Sequence, residues 1–325
     1  MLAACLPVEN VKECLMNRYS RIIVVSLAAG LPALSIGIGR AEPPASPVKS
    51  DTASCARASF RIVLDVGHTA KSPGAKSARG VDEFYFNLRL AKQIDQALVD
   101  AGFAKTVLMV SEGRANQSLY ARVARANEMA ADLLLSIHHD SVPDRFLEKW
   151  EFEGKREMFS DRFKGHSIFV SDDNLDPKDS LLFGTMLGLQ LKARGMQYTP
   201  HYTEHFMGRW QRALLNADAG VYRYDTLFVL KKTQMPAALL EAGSIANRDE
   251  ELVVASPERQ QLISAAVVDA VDSFCATESH KPALQIAQRS KVRHALSAHS
   301  HRRARTHPDN AVPSISVSQS NFDIH

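Results

Sequence analysis

Four short stretches of this 325-residue chain place a metal-capable or acidic side chain at the end of an apolar run or at the start of a helix. They are Asp65-Val66-Gly67-His68, then Glu83, then Ser136-Ile137-His138-His139, and finally Leu239-Leu240-Glu241. Two imidazoles and one carboxylate can hold a zinc ion and leave a position open for water, and a further carboxylate can take that water's proton. That is the equipment for hydrolysing an amide bond. Taken singly, each residue has an ordinary explanation. His68 or His138 can be a polar strand end, Glu83 a first-turn acid that suits the helix dipole, and Glu241 a loop carboxylate. The set becomes informative only if the fold gathers it.

The elements that must do the gathering alternate between two patterns. Apolar β-type runs span residues 60–64, 106–110, 133–137, 166–170, 227–230 and 237–240. Between them lie helical periodicities: about 83–100 with Phe84, Leu88, Ala91 and Leu98 on one face and Gly102 as a stop, a second marked by Leu119, Val123, Ala126 and Ala130, and a third over about 180–194. Ser256-Pro257 reads as an N-cap followed by a first-turn proline, opening a last helix with Ile263, Val267, Ala270 and Phe274 on its buried stripe. Strands alternating with helices predict an α/β fold, a single mostly parallel twisted sheet flanked by helices. In such sheets ligands bind at the carboxyl ends of the strands. His68, His138 and Glu241 each follow a predicted strand, and Glu83 opens the helix that returns from the first one. One sheet edge is therefore expected to collect all four.

Composition bounds the rest. Hydrophobic residues make up 45% of the chain and charged residues 23%, ordinary for a globular protein. The formal net charge of +3 is unevenly spread, because residues 280–325 carry seven Lys/Arg against two Asp/Glu and the remainder is therefore slightly acidic. That distribution argues against a nucleic-acid-binding body. Residues 1–41 read as an export signal, with Arg18 and Arg21 before an apolar run and Gly39-Arg40-Ala41 as the cleavage site; Met16 is a second candidate start. The competing reading is a retained membrane anchor. Residues 42–58 form a Pro/Ala/Ser-rich linker, 59–276 the folded domain, and 277–325 a basic tail expected to be disordered, with six of the chain's twelve histidines. After cleavage only Cys55 and Cys275 remain, at the two ends of that domain. In an oxidising compartment they either bridge it or stay as two thiols, and sequence alone leaves both open.

The ordered motifs resemble the zinc-dependent N-acetylmuramoyl-L-alanine amidases of cell-wall turnover. They run Leu64-Asp65-Val66-Gly67-His68, Pro73-Gly74-Ala75, Glu83 with Asn87-Leu88 and Ala91, Leu119 with Arg122, Ala126-Asn127, Ala131-Asp132, Ser136-Ile137-His138, and Pro236-Ala237 with Glu241, Gly243 and Asn247. The resemblance covers about residues 60–275. It implies the phosphorylase/hydrolase-like zinc amidase fold, one zinc on His68, Glu83 and His138, and Glu241 as general base. The implied reaction is cleavage of the bond between N-acetylmuramic acid and L-alanine in peptidoglycan, in the periplasm or cell envelope, by a monomer. Alternatives are a zinc peptidase acting on the stem peptides and a silent peptidoglycan-binding regulator. The chain departs from the family pattern at Thr69 and Ala70, where two glycines are usual, at Ser244, and at His139-Asp140, where a small residue and Asn are usual.

Three further features call for a place. Residues 143–164 are charged but carry Phe146, Trp150, Phe152, Phe159 and Phe163. The Phe146/Trp150 and Phe159/Phe163 spacings suit a helix; because some amidases that the chain resembles carry a regulatory helix here, the resemblance implies a lid or a dock for an activator protein, and the alternative is a surface excursion with its aromatics packed on the body. His201-Tyr202-Thr203-Glu204-His205 matches the H-x-x-E-H arrangement of another zinc peptidase class, a rival metal site. Asp65 reads as hydrogen-bonded support for the site, and His139 as a substrate contact.

Overall fold

The computed structural model describes residues 55–279. The expected signal segment, most of the linker and nearly all of the tail lie outside the described residues. Within them, nine strands and six helices follow in the order β1 (Ile62–Val66), α1 (Glu83–Asp100), β2 (Val107–Met109), α2 (Ala115–Glu128), β3 (Leu133–Asp140), β4 (Glu148–Phe152), β5 (Lys155–Phe159), β6 (Ser167–Val170), α3 (Pro177–Ala193), β7 (Leu214–Asn216), β8 (Val221–Arg223), α4 (Phe228–Lys232), β9 (Ala237–Ser244), α5 (Arg248–Ala255) and α6 (Pro257–Ser279). Seven strands form one sheet in the order β2-β1-β3-β9-β6-β8-β7, and β4 and β5 pair separately. The β1/β2, β1/β3, β3/β9 and β6/β8 pairs are parallel, while β6/β9 and β7/β8 are antiparallel. The expected α/β class with a mostly parallel sheet is what the chain adopts.

The two faces of the sheet are covered by different helices. Along β3, Leu133, Leu135 and Ile137 pack with α1, α3 and α6, whereas Leu134 packs on the opposite side with Val123 and Ala126 of α2 and Leu230 of α4. Both faces of β1, β3 and β9 are buried, which is why these strands read as continuous apolar runs rather than alternating ones. Cys55 and Cys275 form a disulfide across a separation of 220 residues. In the chain-entropy account a bridge closing so long a loop contributes roughly 4–5 kcal/mol. Ser256 accepts from the backbone N–H of Arg259, as expected of a cap on α6. Among the described residues no helix is long and apolar enough to cross a membrane.

Two expectations fail. Residues 227–230 are not a strand; they open the short helix α4, with Val229 and Leu230 buried against the sheet and Lys231 and Lys232 facing away. A four-residue apolar run buries equally well either way, and β9 already has β3 and β6 on its two sides. The stretch 143–164 is not helical either. After a 3₁₀ turn at Asp144–Phe146 it forms the β4–β5 hairpin, closed by Glu153 and Gly154, both with positive φ (51° and 74°). Two central residues of that kind make the tight turn whose twist matches a hairpin, and Gly154 takes the conformation without cost. Trp150 stacks on Phe152 two residues away, the period of a strand. The hairpin is fastened to the body: the Trp150 indole N–H donates to the Ala78 carbonyl at 2.7 Å, and Arg79 and Arg248 lie over its rings.

Candidate active site

β1 ends at Val66 and the chain turns sharply, so His68 adopts φ 63°, a strained conformation for a residue with a side chain. Its backbone is held there from two directions. The Arg122 guanidinium on α2 donates to the His68 carbonyl at 2.9 Å and to Asp65 at 3.0 Å, and the Ser136 hydroxyl donates to the same Asp65 oxygen at 2.7 Å. Asp65 is thus the support it was expected to be. Arg122 sits on the buried side of α2 and Asp65 is fully inaccessible, so the two form an ion pair within the sheet–helix interface.

Glu83 is the first residue of α1 and points into the same space. One carboxylate oxygen accepts from Asn87 at 2.9 Å and from the His139 backbone at 3.3 Å, and lies 3.1 Å from His138 Nδ1. The other accepts from the Ala75 backbone at 3.2 Å and stands 3.0 Å from His68 Nε2. That last approach lacks hydrogen-bond alignment, so His68 Nε2 is buried with no partner. The two imidazoles meet edge to face, 4.9 Å between centroids. Gly74 lines the cradle at φ 81°; a Cβ there would lie 2.4 Å from Glu83 Oε2 and 2.6 Å from the His68 ring.

One donor atom from each of His68, Glu83 and His138 lies within 4.8 Å of the others, and these are the only such group among the described residues. Burial would raise the Glu83 carboxyl, but the charge of His68 and the close approach of both imidazoles outweigh it and hold Glu83 well below the usual range. A buried carboxylate, two flanking imidazoles and an unpartnered ring nitrogen fit a divalent transition metal that accepts nitrogen and oxygen donors.

β9 brings Glu241 alongside. In the parallel β3/β9 pair His138 is directly opposite Glu241, so both side chains stand on the same face. Glu241 is buried, and its Oε2 has no hydrogen-bond partner. It lines a small, mainly apolar cavity with Phe169, Tyr202, Trp210 and Leu239. Burial, then the nearby Asp140 and Glu83 carboxyls, push its own carboxyl well above the ordinary value. Asp140, also raised by burial, to about 8, accepts from the Tyr202 hydroxyl at 2.7 Å.

Residues 62–273 match the family model of the N-acetylmuramoyl-L-alanine amidases. The chain belongs to that family. It is 24% identical over 216 residues to a putative N-acetylmuramoyl-L-alanine amidase of Buchnera aphidicola, covering 66% of this chain and 95% of the relative. It is 25% identical over 241 residues to the amidase AmiA of Escherichia coli, covering 66% and 75%. Against the probable amidase AmiB of Haemophilus influenzae it is 26% identical and spans about half of that protein's length, 52%. Among solved structures, its fold is similar to the amidase Ami1 of Mycobacterium smegmatis, with a TM-score of 0.52 at 20% identity over 68% of this chain and 98% of that one.

The amidase motifs thus converge as their strand-end positions required: His68, Glu83 and His138 meet, and Glu241 stands on the neighbouring strand. Other expectations do not survive. His139 is no substrate contact, because it is buried on the α1 side with Nδ1 2.8 Å from Asn87 Oδ1. The rival motif splits: His201 is buried beneath Phe163 and bonded to Thr199, while His205 is exposed on the following 3₁₀ turn. Two contributors had no assigned role. Asn87 was detectable as the i+4 neighbour of Glu83, and Arg122 as a charge set into the apolar stripe Leu119-Val123-Ala126.

Proposed function

We propose that this chain is an exported zinc-dependent N-acetylmuramoyl-L-alanine amidase that cleaves peptidoglycan between N-acetylmuramic acid and L-alanine. The observation that carries the reading is the convergence of His68, Glu83 and His138, with Glu241 on the adjoining strand, in a member of this family. His68, Glu83 and His138 hold the metal. Zinc bound there supplies Lewis acidity, polarising a carbonyl oxygen and lowering the pKa of water to about 7. Glu241 takes the proton of the attacking water and returns it to the departing amine of L-alanine. Its place opposite His138 and its one free oxygen suit this role, because that oxygen is open to accept a proton. Asp65 and Arg122 fix the backbone that aims His68, and Asn87 orients the Glu83 carboxylate. The Cys55–Cys275 bond supports placement in the periplasm or cell envelope, since such bonds persist in oxidising compartments. An activator acting on 143–164 would meet a hairpin pinned to the body rather than a covering helix.

The test is mass spectrometry of the products from purified peptidoglycan, with protein treated with chelator and then with zinc. Free peptides beginning with L-alanine, lost on chelation and regained with zinc, are expected. Products cut within the stem peptide would instead establish the zinc peptidase alternative.

A further inference from the structure

A second cavity opens beside the one that Glu241 lines. It encloses about 610 Å³ and is bounded by the start of β6, the turn after α3, the first turn of α6, and Ala242, the residue after Glu241. The two cavities share a wall. Tyr202 and Met207 face the Glu241 cavity, while His201 and Phe206, their immediate neighbours in sequence, line the second. Because β6 runs antiparallel to β9 with Ser167 opposite Glu241, Gly165 lies two residues beyond that pair. The cleft floor therefore lies at the same end of β9 as Glu241, with Ala242 and Glu241 on opposite faces of that strand.

The chemistry of the lining is specific. Arg162, Lys164 and Arg259 all border the cleft. The nearby arginines Arg79, Arg194 and Arg248 each pair with a carboxylate, whereas among the described residues these three cations pair with none. The half-buried acid in the cleft, Glu250, accepts from the backbone N–H groups of Gly165 at 2.9 Å and Ser244 at 3.0 Å, and it feels the charges of Arg259 and Lys164 without forming a salt bridge to either. Arg162 is held over the Phe206 ring, 4.2 Å from its centroid, so its guanidinium is positioned in advance. Two buried imidazoles complete the wall. His201 Nε2 has no hydrogen-bond partner, while the His166 ring faces the backbone carbonyls of Gln197 and Ala219. A ring nitrogen without a partner beside cations held in no salt bridge is the complement of an anion with several acceptor oxygens.

We propose that this cleft binds the carboxylate-bearing stem peptide on the leaving side of the scissile amide. Arg259 and Lys164 take the free carboxylate of its second residue. The inference rests on the amidase reading, because that reaction makes the acidic peptide the departing group. Peptidoglycan stems whose second residue is amidated lack this charge, so the cleft sorts substrates by it.

The experiment compares two synthetic muropeptides that differ only in a carboxylate or a carboxamide on the second stem residue. The wild-type protein is expected to favour the carboxylate about tenfold in kcat/KM, the effect of one charge-assisted hydrogen bond. Arg259→Gln and the exposed-site variant Lys164→Gln each shrink that ratio, and the double variant brings it near one. Equal use of both substrates by the wild type, or a ratio unchanged in the variants, overturns the assignment. Calorimetry with the free acidic tripeptide and its amidated twin gives a readout independent of turnover. If the protein cleaves neither muropeptide, the amidase reading fails, yet a carboxylate preference in peptide binding that the variants lose still upholds the cleft. No such preference refutes it.

Discussion

The molecule has two halves at its catalytic edge, and they are built differently. On one side His68, Glu83 and His138 stand at the ends of β1, α1 and β3, and both strands are buried on both faces. On the other side, the 3₁₀ turns at His201–Thr203 and His205–Trp210, with the irregular segments before β6 and after α3, form the walls of the two cavities. The ligand side is fixed by backbone ladders and a buried ion pair. The wall side is held by side chains, notably Phe146, Phe163 and Phe206 with Arg145 and Arg162 between them. Chemistry that must not move sits on the first kind of structure, and surfaces that must differ between substrates sit on the second.

The largest effect should come from removing the proposed proton carrier. Glu241→Gln is expected to lower turnover by about 10²–10⁴-fold while metal content stays at the wild-type level. His68→Ala should lose metal and activity together, and full zinc occupancy in that variant, measured by elemental analysis, would remove His68 from the ligand set. Next comes the rigidity of the ligand side. Arg122→Ala leaves Asp65 charged and buried, so unfolding stability should fall by about 3–5 kcal/mol, read by chemical denaturation. Replacing Asp65 with Leu in the same protein should recover part of that loss; no recovery would mean the pair is not the strut.

The wall side should reveal itself through acid. Burial disfavours the charged imidazoles of His166 and His201 and lowers both to about 4. An unfolded histidine takes up a proton near pH 6.5, whereas these stay neutral until about pH 4, so the unfolded chain binds more protons between those values. Stability is therefore expected to fall as pH drops from 6.5 to 4, by about 3 kcal/mol for each. His201→Gln should flatten the curve; an unchanged curve would show the ring to be solvated. The smallest change is expected at the hairpin. Trp150→Ala should cost about 1–2 kcal/mol through its hydrogen bond to Ala78 and its ring contacts, with the metal site intact. A loss of zinc in that variant would mean the two halves are not separable.

The same contrast explains what was legible beforehand. The helix at Glu83 begins and ends where its periodicity says, and position at a strand end is enough to bring His68, His138 and Glu241 to one edge. Buried parallel strands advertise themselves as apolar runs, and their direction is dictated by the crossovers. The wall side carries no such signal. Phe146/Trp150 and Phe159/Phe163 have helical spacing by coincidence, while the Glu153-Gly154 turn was the better clue. The run at 227–230 is too short to choose its own conformation. His139 misled because alternation along β3 sends it to the opposite face from His138, toward α1.

The disulfide has a consequence for how the enzyme reaches its target. Arg57 pairs with Asp272 and donates to the Ala101 carbonyl at the far end of α1, so Cys55 and Cys275 lie at the sheet edge opposite His68 and Glu241. The chain therefore enters and leaves the domain at one pole, with the hydrolytic edge at the other. A single tether at that pole would present the cutting edge outward. Because both ends converge on one covalent knot, tension applied at either terminus passes through the sulfur bridge without stretching the strands that hold the ligands.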